Sequence, residues 1–135
     1  MQAIEQTLDH VGGKYIYKND PGILKDAWFV MRNQPNGFYY GDCEDFSLTV
    51  FWIMCNASLL GFVKHLLTGT YRLHFVTSNG NEGHCVGEFM GLYFDNWTKQ
   101  ALTRDEFLQR TGHSYRKRFS PPVVLCKLIV GLFYR

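Results

Sequence analysis

Gly41-Asp42-Cys43-Glu44-Asp45-Phe46 joins a polar, turn-rich segment to the longest apolar run in the chain and puts a cysteine at the junction. From Phe46 to Leu60 apolar side chains come nearly all the way round a helical projection, which predicts a helix buried on most sides and stopped by Gly61. Asp42 is a good N-cap, Asp45 falls three residues on as in a capping box, and Glu44 and Asp45 suit the positive end of the helix dipole. Cys43 then takes the first helical position. A helix N-terminus stabilises a thiolate, the form in which cysteine is a nucleophile. Asp42 and Glu44 oppose this, because neighbouring carboxylates raise a thiol pKa. A cationic base, a bound cation or outward-pointing side chains would resolve the conflict. Cys55, mid-helix, fits the commoner role of a buried, inert cysteine.

The chain of 135 residues is expected to be one domain, residues 1–135, large enough for a real core. Its 46% hydrophobic and 19% charged residues are globular in balance, and a net charge of +2 is too small to imply nucleic acid. Arg116-Lys117-Arg118 reads as a solvated loop or strand edge. Cys43, Cys55, Cys85 and Cys126 contain no C-x-x-C pair, so free thiols in a reducing compartment are the simpler reading. The N-terminus lacks a basic stretch followed by an apolar one, which points to a cytoplasmic chain, or a periplasmic one if this is a mature fragment. The tail from Val123 to Tyr134 is too short to span a membrane and carries Lys127, so it reads as a buried closing strand or short helix. No nucleic-acid or membrane partner is expected.

Taken in order, Met1 to His10 suits a short helix with Ile4 and Leu8 inward, ended by Gly12-Gly13. Asp20-Pro21-Gly22 is a turn, and Leu24, Ala27, Trp28 and Met31 lie at helical spacing within Ile23 to Arg32. Asn33 to Gly37 ends that helix and delivers Phe38-Tyr39-Tyr40 in front of Cys43, with Phe38 read as core. Tyr71 to Thr77 alternates as a strand, and Ser78 to Gly83 turns. A loop at Glu88-Phe89-Met90-Gly91 would pair Gly87 with Leu92 and His84 with Asp95, placing an imidazole beside a carboxylate. Thr103 caps a short surface helix with Glu106 three residues on. His113 to Phe119 suits a strand, after which Pro121-Pro122 breaks the chain.

Cys43, His84 and Asp95 are thus a candidate nucleophile, base and orienting acid. The Cys43 backbone N–H is one candidate oxyanion donor, with Tyr39, Tyr40, Asn36 and Asn96 as cleft or oxyanion candidates. If Asp95 starts a turn, Asn96 is the alternative orienter. His10, His65, His74 and His113 are structural by default, His74 being the strongest competitor. Zinc on Cys43, His84, Cys85 and Asp95 is disfavoured, since adjacent strand residues point to opposite faces.

Gly41-Asp42-Cys43-Glu44-Asp45-Phe46, Gly83-His84-Cys85-Val86 and Phe94-Asp95-Asn96 resemble the three signature blocks of bacterial transglutaminase-like cysteine proteinases, and Asp26-Ala27-Trp28 resembles their upstream D-x-W. The resemblance covers about Asp26 to Asn96. It implies an α+β, papain-like or transglutaminase-like fold, with Cys43 as nucleophile, His84 as base and Asp95 as orienter. It also implies calcium at the two acidic residues flanking the cysteine, Asp42 and Glu44, although the acyl-enzyme chemistry itself requires no cofactor. The chain is compact for that family, which suits a small bacterial or phage-encoded relative. The expected activity is a cysteine peptidase or amide hydrolase on a protein or peptide substrate. The alternatives are a transglutaminase-type acyltransferase or deamidase, and a retired binding module.

Overall fold

The computed structural model describes residues 2–18, 27–78 and 82–134. The turn at Asp20-Pro21-Gly22, the residues 23–26 of the expected second helix, Asp26 of the D-x-W resemblance and Asn79-Gly80-Asn81 lie outside the described residues.

The helix expected after the cysteine is two helices. α2 spans Cys43–Met54 and α3 spans Leu59–Thr68, bent by 115° at the break. Asn56 and Ala57 adopt φ of 56° and 57°, left-handed values that end an α-helix, and Ser58 then caps α3 by accepting from the Gly61 N–H. Gly61 therefore lies in the first turn of α3 and stops nothing. Cys55 sits at the C-cap of α2, half-buried, with its thiol donating to the Trp52 carbonyl at 3.2 Å.

The N-terminal helix, α1 (Gln2–Gly12), buries Ile4 and Leu8 as expected. It leads to β1 (Tyr15–Tyr17), which pairs in parallel with β2 (Tyr39–Gly41) directly before Cys43. The described part of the second expected helix, residues 27–32, is irregular instead. Its backbone donors are taken by other elements: Trp28 N–H by the Lys127 carbonyl, Phe29 N–H by Asp45, Met31 N–H by Thr49 Oγ1. Ala27, Trp28 and Met31 are buried all the same, so the apolar spacing was real and its period misleading. Phe38, expected in the core, is exposed.

The main sheet runs β6-β5-β4-β3-β7 and is antiparallel throughout: β3 is Tyr71–Thr77, β4 Gly83–Phe89, β5 Leu92–Phe94, β6 Leu102–Thr103 and β7 Ser114–Arg118. Alternation sends Leu73, Cys85 and Phe94 to the face covered by α2, where they meet Phe46 and Phe51. Val76, Val86 and Tyr93 take the other face, with Phe107 of α4 (Arg104–Thr111). Thr103 and Glu106 form the expected capping box, and Gly112 closes α4 at φ 71°. The apolar tail is a helix, α5 (Pro121–Tyr134), not a closing strand, with prolines at its first turn where their missing N–H costs nothing.

The β4–β5 register differs from expectation by two residues. Phe89 pairs with Leu92 and Gly87 with Phe94, so the loop is Met90-Gly91 alone. The side-chain period of a strand is two, so a shift of two keeps every side chain on its face. Gly87 is required at its position, because a β-carbon there would sit 2.5 Å from the Phe94 ring.

Gly131, inside α5, lies against the Trp28 carbonyl, which a β-carbon would strike. Alanine gains about 1 kcal/mol of helix propensity over glycine, whereas backbone overpacking typically costs about 1–3 kcal/mol. Gly131→Ala is therefore expected to lower stability in denaturant titration despite improving the helix. Asp45→Ala, which leaves the Phe29 and Asp42 N–H groups without their acceptor, is expected to cost about 1–3 kcal/mol in the same assay.

Candidate active site

The cysteine is held by a helix start that carries two functions. Asp42, in extended conformation, accepts the Asp45 N–H at 3.4 Å, and Asp45 Oδ2 accepts the Asp42 N–H at 3.3 Å. The other Asp45 oxygen accepts the Phe29 N–H at 2.9 Å, so the same carboxylate starts α2 and anchors the irregular strap of residues 27–32 beside it. A side chain at Gly41 would meet the Met31 sulfur at 2.7 Å, which explains the glycine ahead of the cap. Cys43 follows as the first residue of α2, as expected.

β5 ends at Phe94, so its ladder with β4 stops at Gly87. Beyond that point the Cys85 backbone N–H donates to the Cys43 sulfur at 3.4 Å. The thiol in turn donates to Glu44 Oε2 at 2.9 Å. Its pKa is pushed up, first by burial, then by the charge of Glu44 and the hydrogen bond to it; the Cys85 N–H offsets part of this, and Asp42 adds to it. The helix terminus therefore does not activate this thiol in the arrangement described, because burial and the adjacent carboxylate outweigh it.

Continuing the observed register places Trp97, rather than Asp95, opposite His84. Asp95 is the diagonal neighbour, and it still reaches the ring: His84 Nε2 lies 2.8 Å from Asp95 Oδ2, both groups being buried. Oδ1 of the same carboxylate accepts from the Thr98 N–H at 2.7 Å, the Thr98 hydroxyl and the Trp97 N–H. Asp95 thus opens a turn and holds the histidine, one oxygen for each. Burial alone would raise its pKa, but the bonds from His84 and Thr98 outweigh that and hold it below the usual carboxylate range. An ionised carboxylate only accepts, so the His84 proton sits on Nε2, leaving Nδ1 as the basic nitrogen.

Cys43 and His84 line one cavity of ≈ 320 Å³ together with Tyr17, Glu82, Gly83 and Trp97. The half-exposed Trp97 ring lies flat on His84, centroids 4.1 Å apart. His113 lies 5.3 Å from His84 and 5.1 Å from Trp97, and its buried Nδ1 has no partner among the described residues. Burial, then the nearby His84, lowers its pKa, against a raising effect of Asp95. Tyr15 donates to the Gly41 carbonyl at 2.8 Å and is raised in pKa by burial, then by Cys43 and Asp42. Sequence reasoning did not single out Tyr15, Tyr17 or Trp97, and read His113 as structural by default. For Trp97 a signal existed, since it stands two residues past Asp95 and the turn there folds it back over the histidine.

Tyr39 is buried against His10 and Tyr40 hydrogen-bonds Asn36, and none of these is among the cavity-lining residues. Asn96 is buried and donates to the Tyr15 hydroxyl at 3.4 Å. His74, the rival base, is engaged at both nitrogens, with Glu88 Oε1 at 2.7 Å and the Tyr115 hydroxyl at 2.9 Å.

Among the described residues no group of three or more His, Cys, Asp or Glu side chains stands close enough to hold a metal ion. Asp42 is committed to the helix cap and Glu44 to the thiol. The two carboxylates would supply only part of the about 6–8 oxygen ligands that calcium takes, so the site implied there needs further donors.

No family model and no curated protein matches the chain. Solved structures do match it. LapG of Legionella pneumophila, EGTA-treated, superposes with a TM-score of 0.57 at 20% identity, over 87% of this chain and 62% of that one. A second LapG structure from the same organism gives 0.57 at 20% identity, over 87% and 64%. The calcium-bound form gives 0.56 at 18%, over 87% and 64%. The chain therefore spans 62–64% of the length of the LapG chains it matches. The likeness is one of fold: a mixed helix and antiparallel-sheet structure of the transglutaminase-like kind.

Proposed function

We propose that the chain is a cysteine peptidase or closely related amide hydrolase, with Cys43 as nucleophile, His84 as general base and Asp95 as its orienter. The observation that carries this reading is the shared cavity: Cys43 and His84 both line it, and the His84 ring is fixed by a buried aspartate. With Nε2 held by Asp95, Nδ1 takes the thiol proton as sulfur attacks the substrate carbonyl carbon. The C–N bond then breaks, His84 passes its proton to the leaving amine, and water hydrolyses the thioester with His84 again as base. The Cys43 backbone N–H, in the first turn of α2 where helix N–H groups have no intrahelical acceptor, supplies one oxyanion donor. Calcium-bound and EGTA-treated LapG structures make calcium a natural addition to any assay.

The thiol's bond to Glu44 favours a second reading, a binding module of the same fold whose thiol is unused. A library of proteome-derived peptides incubated with the chain separates the two. New termini with wild type, none with Cys43→Ala, and a loss of about 10²–10⁴-fold with His84→Ala are expected from a general-base role. An intact library with wild type and Glu44→Gln would establish the binding module. Products in which an added primary amine replaces the leaving group would assign acyl transfer instead of hydrolysis.

Glu44 raises the thiol pKa both as a charge and as an acceptor. Glu44→Gln is expected to speed Cys43 alkylation by iodoacetamide at neutral pH by about tenfold, the equivalent of one pKa unit. The exposed Cys126 serves as internal reference by mass spectrometry. For Asp95 the folded pKa is depressed, so its contribution to stability is present above the unfolded value of about 3.9 and is lost as pH falls through the folded one. Acid unfolding is expected to shift to lower pH in Asp95→Asn relative to its own neutral-pH stability.

A further inference from the structure

We propose that the face formed by α3 and α5 binds an anionic lipid surface. Most surface helices present an apolar stripe inward and a polar face outward. α5 does not. Val124 is buried and Leu125 and Leu128 pack on the core, yet its outward side carries Ile129, Val130 and Leu132. α3 packs against α5 and adds Leu59, Leu60 and Leu67, with Leu60 82% exposed. Seven of the twelve large apolar side chains exposed among the described residues lie on these two helices. A soluble surface of this kind marks a docking site.

Charge selects the occupant. None of the 12 Asp and Glu residues falls within residues 46–81 or 107–135, the stretches that contain α3, β3, β7 and α5, while eight of the 14 Lys and Arg do. Lys64 sits between Leu60 and Leu67 on one face of α3. The Arg72 and Arg118 guanidinium groups meet at Gly69, the C-cap of α3. Exposed Lys117 on β7 lies over the Phe119 ring, just ahead of α5. Apolar side chains fringed by Lys and Arg, with no acidic residue on the same elements, fit a leaflet of anionic lipid: the leucines enter the acyl boundary and the cations meet phosphate. Nucleic acid would use the cations but leave the leucines in water.

The placement suits a cleft that must stay open. Cys43 begins α2 and α3 follows its far end, about 18 Å away for a helix of 12 residues at about 1.5 Å per residue. The expectation of no membrane partner rested on the lack of a spanning segment, and no single described helix is long and apolar enough to cross a bilayer. A surface-bound chain needs none.

Flotation of the full chain with vesicles tests this. With equal parts phosphatidylcholine and phosphatidylglycerol the chain is expected to float, with pure phosphatidylcholine to stay behind, and the bound fraction to fall as salt rises. The double variant Lys117→Glu, Arg118→Glu should weaken binding at least about twentyfold, given about fivefold per cation near an anionic surface. Leu60→Gln with Ile129→Gln should abolish it while the Cys43 alkylation rate stays at the wild-type value, showing that the fold survives. Equal binding to both vesicle types, no binding to either, or binding only to nucleic acid overturns the proposal. So does a lipid-free chain that sediments as a dimer and becomes monomeric with the same leucine and isoleucine changes, which would make the face a contact between copies.

Discussion

The Asp45 carboxylate is the constraint on which the rest of the site depends. A helix that begins inside a protein brings unpaired N–H groups into low dielectric, and each one left without an acceptor costs about 1–3 kcal/mol. Here one buried carboxylate serves the Asp42 N–H of the helix cap and the Phe29 N–H of the strap. That single group fixes where α2 starts, and so where the sulfur stands. It also holds the irregular strap against α2, and the strap positions α5 through the bond from Trp28 to Lys127. The surface helix and the half-buried cysteine are therefore parts of one hydrogen-bonded chain.

Strand length sets the other half of the geometry. Had β5 run on past Phe94, its backbone would have occupied the edge of β4 that the sulfur now reaches. Its early end frees the Cys85 N–H for the thiol and lets Asp95 turn back toward His84 with one oxygen while the other satisfies the turn. A two-sided use of one carboxylate is what allows a buried acid to remain ionised beside a buried imidazole, since each of its oxygens is hydrogen-bonded.

Much of this was legible in the chain. The capping box at Asp42 and Asp45, the cysteine at the helix start and the His84–Asp95 pairing are local or near-local patterns. The pairing survived a register error because the error was an even number of residues. The break at Asn56 and Ala57 was missed because continuous hydrophobicity concealed it, although Asn at a helix end and Ser58 as a cap are both recognisable signals. Residues 27–32 were read as helix from spacing alone, and nothing local reveals that Asp45 and Thr49 take their backbone donors. The placement of Tyr15 and Tyr17 was illegible for a different reason: parallel pairing with residues 39–41 has no short-range signature.

That pairing gives the cleft an uneven durability. β1 and β2 are three residues each and form a ribbon separate from the main sheet. So short a ribbon has little stability of its own and exists by leave of its neighbours, among them α2. In the language of native-state hydrogen exchange, it belongs to the shallow end of the protection scale, whereas β3 and β4 belong to the deep end. The side of the cleft that carries Tyr17 is thus the unit that opens first and closes last, and the side that carries His84 keeps its form while it does.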